Sequence, residues 1–530
     1  MDTSSAESSD RLRKVIDDEI NSLQESESIL ALKSRRNALA PISRLPPETL
    51  AAIFSVLPPD AWVTKAEDRA SICVTHVCRR WRETALNHSR LWTRIDFNML
   101  TPAAVAEILA RSKVAPLFLE ANVTFVAQHT TFERHLEDHI SHTRRLSLWG
   151  LLRSAIKRLV SSAPLLESVS LSHGSDFFES SAKVAIPVNL FNCTAPKLTS
   201  LELESCDISW KLPILKRLRT LKIYEPSTEA RPKLDDWLDA LNEMPQLETL
   251  VLQSATPLAS GTALLISETS PSVTLPSLTR FHISASAKDC TLALAHLVLP
   301  SLSWLRVEAE SHEWEGGDVK PLIQCVAQNA YWLQGTEPLR RISVCGERTS
   351  AKVFAWMPDT DNEGSVPYAL FRPSGPACLM FTATCSGWDY GVDTGIFDAL
   401  LTILPVGSIS TLTTEKRTRL SKEFWLSQAP RWPLLKRARL VPASIKAFMN
   451  MLIEDAPSDG PRLPLLTELT LIGFSLTVLR TFHLCDMFVE RVEQGVPLEV
   501  LDLSTCVTTA RSIQLVGEIV ADVLGPEHMR

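Results

Sequence analysis

Residues 42–92 read ISRLPPETLAAIFSVLPPDAWVTKAEDRASICVTHVCRRWRETALNHSRLW. Pro46 and Pro47 cannot lie inside a helix, but a proline at the first helical position loses no hydrogen bond, because its missing N–H would be unpaired there. Glu48 then falls in the first turn, where the helix dipole favours an anion. Leu50, Ile53, Phe54 and Leu57 follow at i, i+3, i+4 and i+7, one helical face. Pro58-Pro59-Asp60 ends that helix. A second apolar set, Ile72, Val74, Val77 and Cys78, leads into Arg79, Arg80, Trp81 and Arg82, and Leu91-Trp92 closes the stretch. Three helices in so short a span bury little surface and are marginal alone, so part of this apolar set is expected to meet a partner.

Leu45, Pro46 and Glu48 form a Leu-Pro-x-Glu opening, Ile53 and Phe54 an Ile-Phe pair, Val77, Cys78, Arg79 and Trp81 a Val-Cys-Arg-x-Trp run, and Leu91-Trp92 a closing pair. In order and spacing the stretch resembles an F-box; it departs from the pattern in a long link, 58–67, between the first and second helices. The resemblance implies binding to a Skp-type adaptor and, through it, to the cullin of a ubiquitin ligase. It makes Leu45, Pro46, Leu50, Ile53, Phe54, Leu57, Val77, Cys78, Trp81 and Trp92 the candidates for the contact surface or its immediate support.

Internal repetition dominates the rest of the chain. From Pro164 it reads PLLESVSL, from Pro196 PKLTSLEL, from Lys216 KRLRTLKI, and from Pro245 PQLETLVL. Related pieces begin at Pro276, Pro300, Pro338, Pro433, Pro464 and Pro497. Each holds Leu-x-x-Φ-x-Φ, where Φ is usually aliphatic, and the leading leucines are 166, 198, 218, 247, 278, 302, 339, 435, 466 and 498. The last two Φ residues alternate, as on a strand with one face in a core. The long gap between 339 and 435 leaves room for further, degenerate units. Two pieces end in cysteine, at Cys206 and Cys506. The array resembles leucine-rich repeats, in which that position satisfies backbone groups at a turn. The other reading is an ordinary α/β domain with proline-led strands. Leu117-Phe118-Leu119 and Leu146-Ser147-Leu148 read as strands of early, imperfect units, and 226–233, 357–376 and 454–463 as loops or insertions.

The expected fold class is therefore a helical F-box followed by an α/β leucine-rich-repeat-like solenoid of short parallel strands, with irregular repeats of about 30 residues. The expected organisation is a disordered tail (1–9), an N-terminal helix (10–39), the F-box (42–97) and a substrate-recognition domain (101–525). The lead helix, F-box and opening repeats together resemble proteins of large families in mushroom-forming fungi. In the lead helix Ile16, Leu23 and Leu30 recur every seven residues, but the complementary seam is only half filled.

One residue per unit points outward between the two final Φ positions: Ser170, Glu202, Lys222, Val251, His282, Arg306, Ser343, Arg439, Thr470 and Asp502. That mixed row fits protein recognition by a few anchors, and Lys222, Arg306 and Arg439 are the candidates for a target. A nucleic-acid groove would be mostly basic with interleaved aromatics, and the net charge of −7 argues the same way. Eleven scattered cysteines with no Cys-x-x-Cys read as reduced thiols, no apolar run reaches the length of a membrane span, and no signal peptide opens the chain, so a cytoplasmic or nuclear protein is expected.

His135 and His139 stand at i, i+4 with His129 and His142 nearby, but the segment His-Leu-Glu-Asp-His lacks the glutamate placement of zinc-protease helices. Neither a phosphate-binding Gly-x-x-x-x-Gly-Lys-Ser/Thr loop nor a Gly-x-Ser-x-Gly elbow occurs. The expectation is thus no catalytic residue, no metal, no cofactor, no nucleic acid and no membrane. The chain reads as a substrate-recognition adaptor of a Skp–cullin–F-box ligase that brings a target protein near a loaded partner enzyme. The rival readings are a scaffold outside ubiquitin transfer and a repeat-type binding protein with a vestigial F-box.

Overall fold

The computed structural model describes residues 12–18, 27–56, 70–125, 129–150, 153–174, 183–259, 271–311, 319–329, 338–347, 349–357, 378–385, 394–453 and 460–526. The expected tail 1–9, the link 58–67 with Leu57, and most of the loops at 357–376 and 454–463 lie outside them. The chain divides into two compact units, Met1–Ile208 and Ser209–Arg530.

The first unit opens with helices α1 (12–18) and α2 (Glu27–Ala38). Arg36 pairs with Asp17 at 3.0 Å. Along one straight helix those residues would stand about 28 Å apart. The described residues of the expected helix over 10–39 are thus not on one straight rod, and Ile16 is buried while Leu30 is 67% exposed. Helices α3 (Pro47–Ser55), α4 (Ala70–Cys73) and α5 (Arg79–Asn87) follow.

The strand-rich part begins with β1 (Arg94–Asp96), α6 (Pro102–Ser112), β2 (Leu117–Asn122), α7 (His129–His139), β3 (Thr143–Trp149), α8 (Arg153–Ile156) and β4 (Ser168–Ser172). It continues with β5 (Val184–Ala185), β6 (Ser200–Glu204) and β7 (Cys206–Asp207). Thr101 caps α6 by accepting from the Ala104 N–H, and Pro102 starts it. Strands β1, β2, β3, β4 and β6 pair in that order, all parallel. The register sets Asp96, Glu120, Ser147, Ser170 and Glu202 side by side.

The second unit holds β8 (Thr220–Tyr224), α9 (Leu234–Asn242), β9 (Thr249–Gln253), β10 (Val273–Thr274), β11 (Arg280–Ser286), α10 (Ala287–Ala295), β12 (Leu297–Val298) and β13 (Trp304–Ser311). After α11 (Val319–Asn329) come β14 (Arg341–Gly346), β15 (Ser350–Trp356), β16 (Leu379–Cys385), α12 (Thr394–Ile403) and β17 (Thr411–Lys416). The chain ends in α13 (Lys422–Gln428), β18 (Arg437–Leu440), α14 (Pro442–Ile453), β19 (Glu468–Leu471), α15 (Val478–Glu493), β20 (Val500–Asp502), α16 (Ala510–Gly517) and β21 (Asp522–Leu524).

All ten leading leucines are at most 3% exposed, and all twenty final Φ residues at most 2%. The motif thus marks where the chain turns inward and then lays a strand over the core, each side chain worth about 1.5–3 kcal/mol of burial. At the entry to many of the strands two successive N–H groups share one carbonyl of the preceding strand's entry. Thr199 and Ser200 donate to Glu167, Thr279 and Arg280 to Glu248, and Glu499 and Val500 to Thr467. Cys506 Sγ donates to the Leu471 carbonyl at 3.0 Å, and Cys206 Sγ lies 3.8 Å from that of Leu171. Burial pushes the Cys206 thiol up to about 12, so it stays protonated and available as a donor.

The gap between 339 and 435 does not hold a simple succession of further units. Strand β14 runs parallel to β17, but β15 turns back antiparallel to β14, and β16 then pairs with both β15 and β13. In space the order is β13, β16, β15, β14, β17, an inserted hairpin-plus-strand whose pairings skip along the sequence. Parallel pairing otherwise runs β8, β9, β11, β13 on one side and β17 to β21 on the other. The described strands form a mostly parallel sheet and close no barrel.

Candidate partner-binding surfaces

The helical segment builds its core from few residues. Leu50, Phe54, Val74 and Ala85 are buried together, with Trp81 and Leu91 packed against them. The Phe54 and Trp81 rings lie 4.9 Å apart at 54°. Trp92, 3% exposed, donates its indole N–H to the Ala85 carbonyl at 2.8 Å, and the Arg111 guanidinium sits 4.7 Å above its ring. That indole ties the helical segment to α6 within the first unit. Arg80 donates to the Ser43 carbonyl at 2.5 Å and also to that of Leu45, which holds the strand-like entry to α3 in place. Cys78 caps α5 in an extended conformation, and Arg82 donates to the Thr75 carbonyl at 2.8 Å.

The face expected of α3 divides. Leu50 and Phe54, at i and i+4, point into the core, while Ile53 is 42% exposed. Val56 at the helix C-cap is 83% exposed, Val77 56% and Ile42 38%. Pro46 is exposed, whereas Leu45, Cys78 and Trp81 are half-buried. The candidates thus sort into a support of Leu50, Phe54, Trp81 and Trp92 and an exposed apolar set led by Ile53 and Val77. Leu57 lies outside the described residues. Val56 and Ile42 were not among the sequence candidates; their exposure is a property of packing and leaves no mark in the periodicity.

In the second unit one register line carries Lys222, Val251, His282, Arg306, Met380, Phe354, Ser343, Thr413, Arg439, Thr470 and Asp502. Lys222, Arg306 and Arg439 therefore share a line without meeting. At about 4.8 Å per strand, Lys222 stands three strands, some 14 Å, from Arg306, and Arg439 five strands, some 24 Å. Val251 and Ser343 stand on this line but are buried, and Ser343 donates its hydroxyl to Glu415 at 2.7 Å.

Arg306 lies in a concavity of about 590 Å³ with Glu308, Glu347, Lys352, Phe354 and Met380. Its Nε donates to Glu308 at 2.9 Å, and His282 Nε2 lies 3.4 Å from the same carboxylate. The hydrogen bond from His282, then the bond and charge of Arg306, hold the Glu308 carboxyl down at about 2. Glu347 is paired with Lys416 and, at 3.5 Å, with Lys352. Its pKa is lowered first by the Lys416 hydrogen bond. The site is a lattice of paired charges beside an aromatic and a methionine, with Phe354 stacked on Trp356 at 6.0 Å. Glu308, Lys352, Phe354 and Met380 were missed in the sequence because three lie on the inserted strands and the fourth lies beyond the Leu-x-x-Φ-x-Φ frame; the alternation of CLMFTATC at 378–385 is the signal that could have found the strand bearing Met380.

His129 opens α7, while His135, His139 and His142 occupy its second half and the turn after it. His139 Nδ1 and His142 Nε2 are 3.3 Å apart, and the His135 and His139 rings 6.2 Å. Burial lowers the pKa of all three. Two of these nitrogens thus face each other, and among the described residues no three His, Cys, Asp or Glu side chains are grouped so as to hold a metal ion. No described helix is long and apolar enough to cross a membrane.

Residues 42–98 match the F-box-like family model. No curated protein matches the chain.

Proposed function

We propose that the chain is a substrate-recognition adaptor of a Skp–cullin–F-box type ubiquitin ligase. The F-box-like segment binds a Skp-type adaptor, and the strand ladder is an irregular leucine-rich-repeat array that binds a target protein. The observation that carries the reading is the exposure of Ile53, Val56 and Val77 above a four-residue core inside the F-box-like match. So small a core cannot cover its own apolar residues, and a docked adaptor would.

On this reading the chain catalyses no bond chemistry itself. It raises the local concentration of target lysines near a ubiquitin-loaded enzyme. The cullin is reached only through the adaptor. The ladder's outward line, with Arg306 in a 590 Å³ hollow, receives the target, and Lys222 and Arg439 are outlying anchors. The eleven free cysteines favour the cytosol or nucleus.

The test is co-purification of the full chain with a Skp-type adaptor and cullin, beside an Ile53→Asp/Val77→Asp variant. The variant should lose both proteins while keeping its unfolding midpoint. Retention of the adaptor by the variant would overturn the reading of this surface. Adaptor without cullin would replace the ligase reading with that of a separate scaffold.

A further inference from the structure

The outward face of the second unit carries a band whose charge runs against that of the chain. One register line at the strand ends holds Arg280, Trp304, Trp356, Arg341, Thr411 and Arg437. The next outward line holds His282, Arg306, Met380, Phe354 and Arg439. From β11 to β18 neither line contains an acidic residue, in a chain of net charge −7. Cys378, at the head of the central strand β16, donates to the Ala355 carbonyl at 3.1 Å, and burial pushes its thiol up to about 11, so it adds no charge.

Two of these cations are unspent. Arg280 is exposed and Arg341 half-buried, and among the described residues neither guanidinium has a hydrogen bond or an ion pair. Arg306, by contrast, is held by Glu308, and Arg437 stands 3.5 Å from Glu468. Between the two free guanidinium groups lie the half-buried indoles of Trp304, edge-on to His282 at 6.4 Å, and Trp356, against Phe354. The complement of that row is a pair of anions with apolar groups between them.

The spacing narrows the ligand further. Adjacent strands stand about 4.8 Å apart, so Trp304, Trp356 and Arg341 lie one, three and four strands from Arg280, at about 5, 14 and 19 Å. In an extended peptide every second side chain points the same way, and two residues advance about 6.6 Å. Side chains at i, i+2, i+4 and i+6 thus stand at about 0, 7, 13 and 20 Å and match the four positions in order. We propose that the band binds an extended acidic segment of the target with the pattern acidic-x-apolar-x-apolar-x-acidic, its carboxylates on Arg280 and Arg341 and its apolar side chains on Trp304 and Trp356. The segment passes along the rim of the hollow walled by Arg306, Phe354 and Met380. The proposal rests on the ladder's outward face being the target surface and is independent of ubiquitin transfer. A nucleic acid fits less well: its charge at every nucleotide would meet Glu308 and Glu415 on the third outward line, and Phe354 already lies against the Trp356 ring.

The test is fluorescence anisotropy of the labelled peptide Gly-Glu-Ser-Leu-Ser-Leu-Ser-Glu-Gly with the full chain. Its control is Gly-Glu-Leu-Ser-Ser-Ser-Leu-Glu-Gly, of the same composition with both leucines turned to the other side. The first peptide should bind saturably and the control about tenfold more weakly. Arg280→Glu/Arg341→Glu should weaken the first peptide by about tenfold or more, with an unchanged unfolding midpoint, and should bind Gly-Lys-Ser-Leu-Ser-Leu-Ser-Lys-Gly in its place. No binding by the wild type, equal binding of the two leucine arrangements, or no exchange of preference in the variant would overturn the proposal. So would tighter binding of a labelled oligothymidylate than of the peptide, which would give the band to nucleic acid. Adaptor co-purification is scored on the same preparation. A chain that holds the adaptor and ignores the peptide overturns this inference alone, and one that binds the peptide without holding the adaptor overturns the ligase reading alone.

Discussion

The F-box-like segment and the strand ladder treat apolar side chains in opposite ways. The ladder hides every Φ residue of its ten motifs, at no more than 2% exposure, while α3 and the residues before α5 leave Ile53, Val56 and Val77 in the open. The cause is geometric. A strand in a parallel stack has a neighbour on each side and helices or arcs beneath it, so period-two alternation suffices to close the core. Three short helices have one small shared interior, and any apolar residue beyond the four or five that fill it must face outward. Deleting an apolar group should therefore cost stability in the ladder and association in the helical segment.

The largest expected effect is in the ladder. Phe281→Ala removes a fully buried ring from a strand paired on both sides, and should lower the unfolding free energy by about 3–5 kcal/mol, read from the denaturant midpoint. A loss below about 1 kcal/mol would mean that the ladder core is not closed as described. Next, Ile53→Ala should leave stability within about 0.5 kcal/mol and weaken adaptor binding by about 2 kcal/mol, roughly thirtyfold in Kd by calorimetry. The reverse pattern would erase the contrast between the regions.

Between the two lies Trp92, the junction of the helical segment with α6. Trp92→Phe strips the donor from the Ala85 carbonyl and weakens the Arg111 contact, and should cost about 1–2 kcal/mol by thermal unfolding. A smaller effect is expected at Glu308. Its pKa is depressed to about 2 from an ordinary 4.5, so its stabilisation is present above pH 4.5 and is lost as pH falls towards 2. Glu308→Gln should therefore flatten the acid side of the stability profile over that window and change nothing in its shape above it. The smallest effect is expected of the exposed Arg79–Glu83 pair on α5, where Glu83→Ala should move the midpoint by less than about 0.5 kcal/mol.

Much of this contrast was legible in the residues. The Leu-x-x-Φ-x-Φ motif located the core strands because alternation and burial are both local. The division of α3 was not. Leu50, Ile53 and Phe54 share one apolar face in projection, and only the position of Trp81 and Val74 decides that Ile53 is left outside. The lead helix shows the same limit: residues 10–39 read as one helix, and the Arg36–Asp17 contact is too close for one straight rod.

By itself, then, the sequence determined the helical segment with its F-box pattern, the buried leucines, and the outward line of Lys222, His282, Arg306 and Arg439. These follow from short-range rules of period and capping. The tertiary structure alone decided that β16 and β15 come between β13 and β14, which strands wall the hollow at Arg306, and which apolar groups of α3 remain uncovered. Those outcomes depend on which distant segments become neighbours. A residue's own surroundings in the chain carry its preference for a core, but not the identity of what covers it.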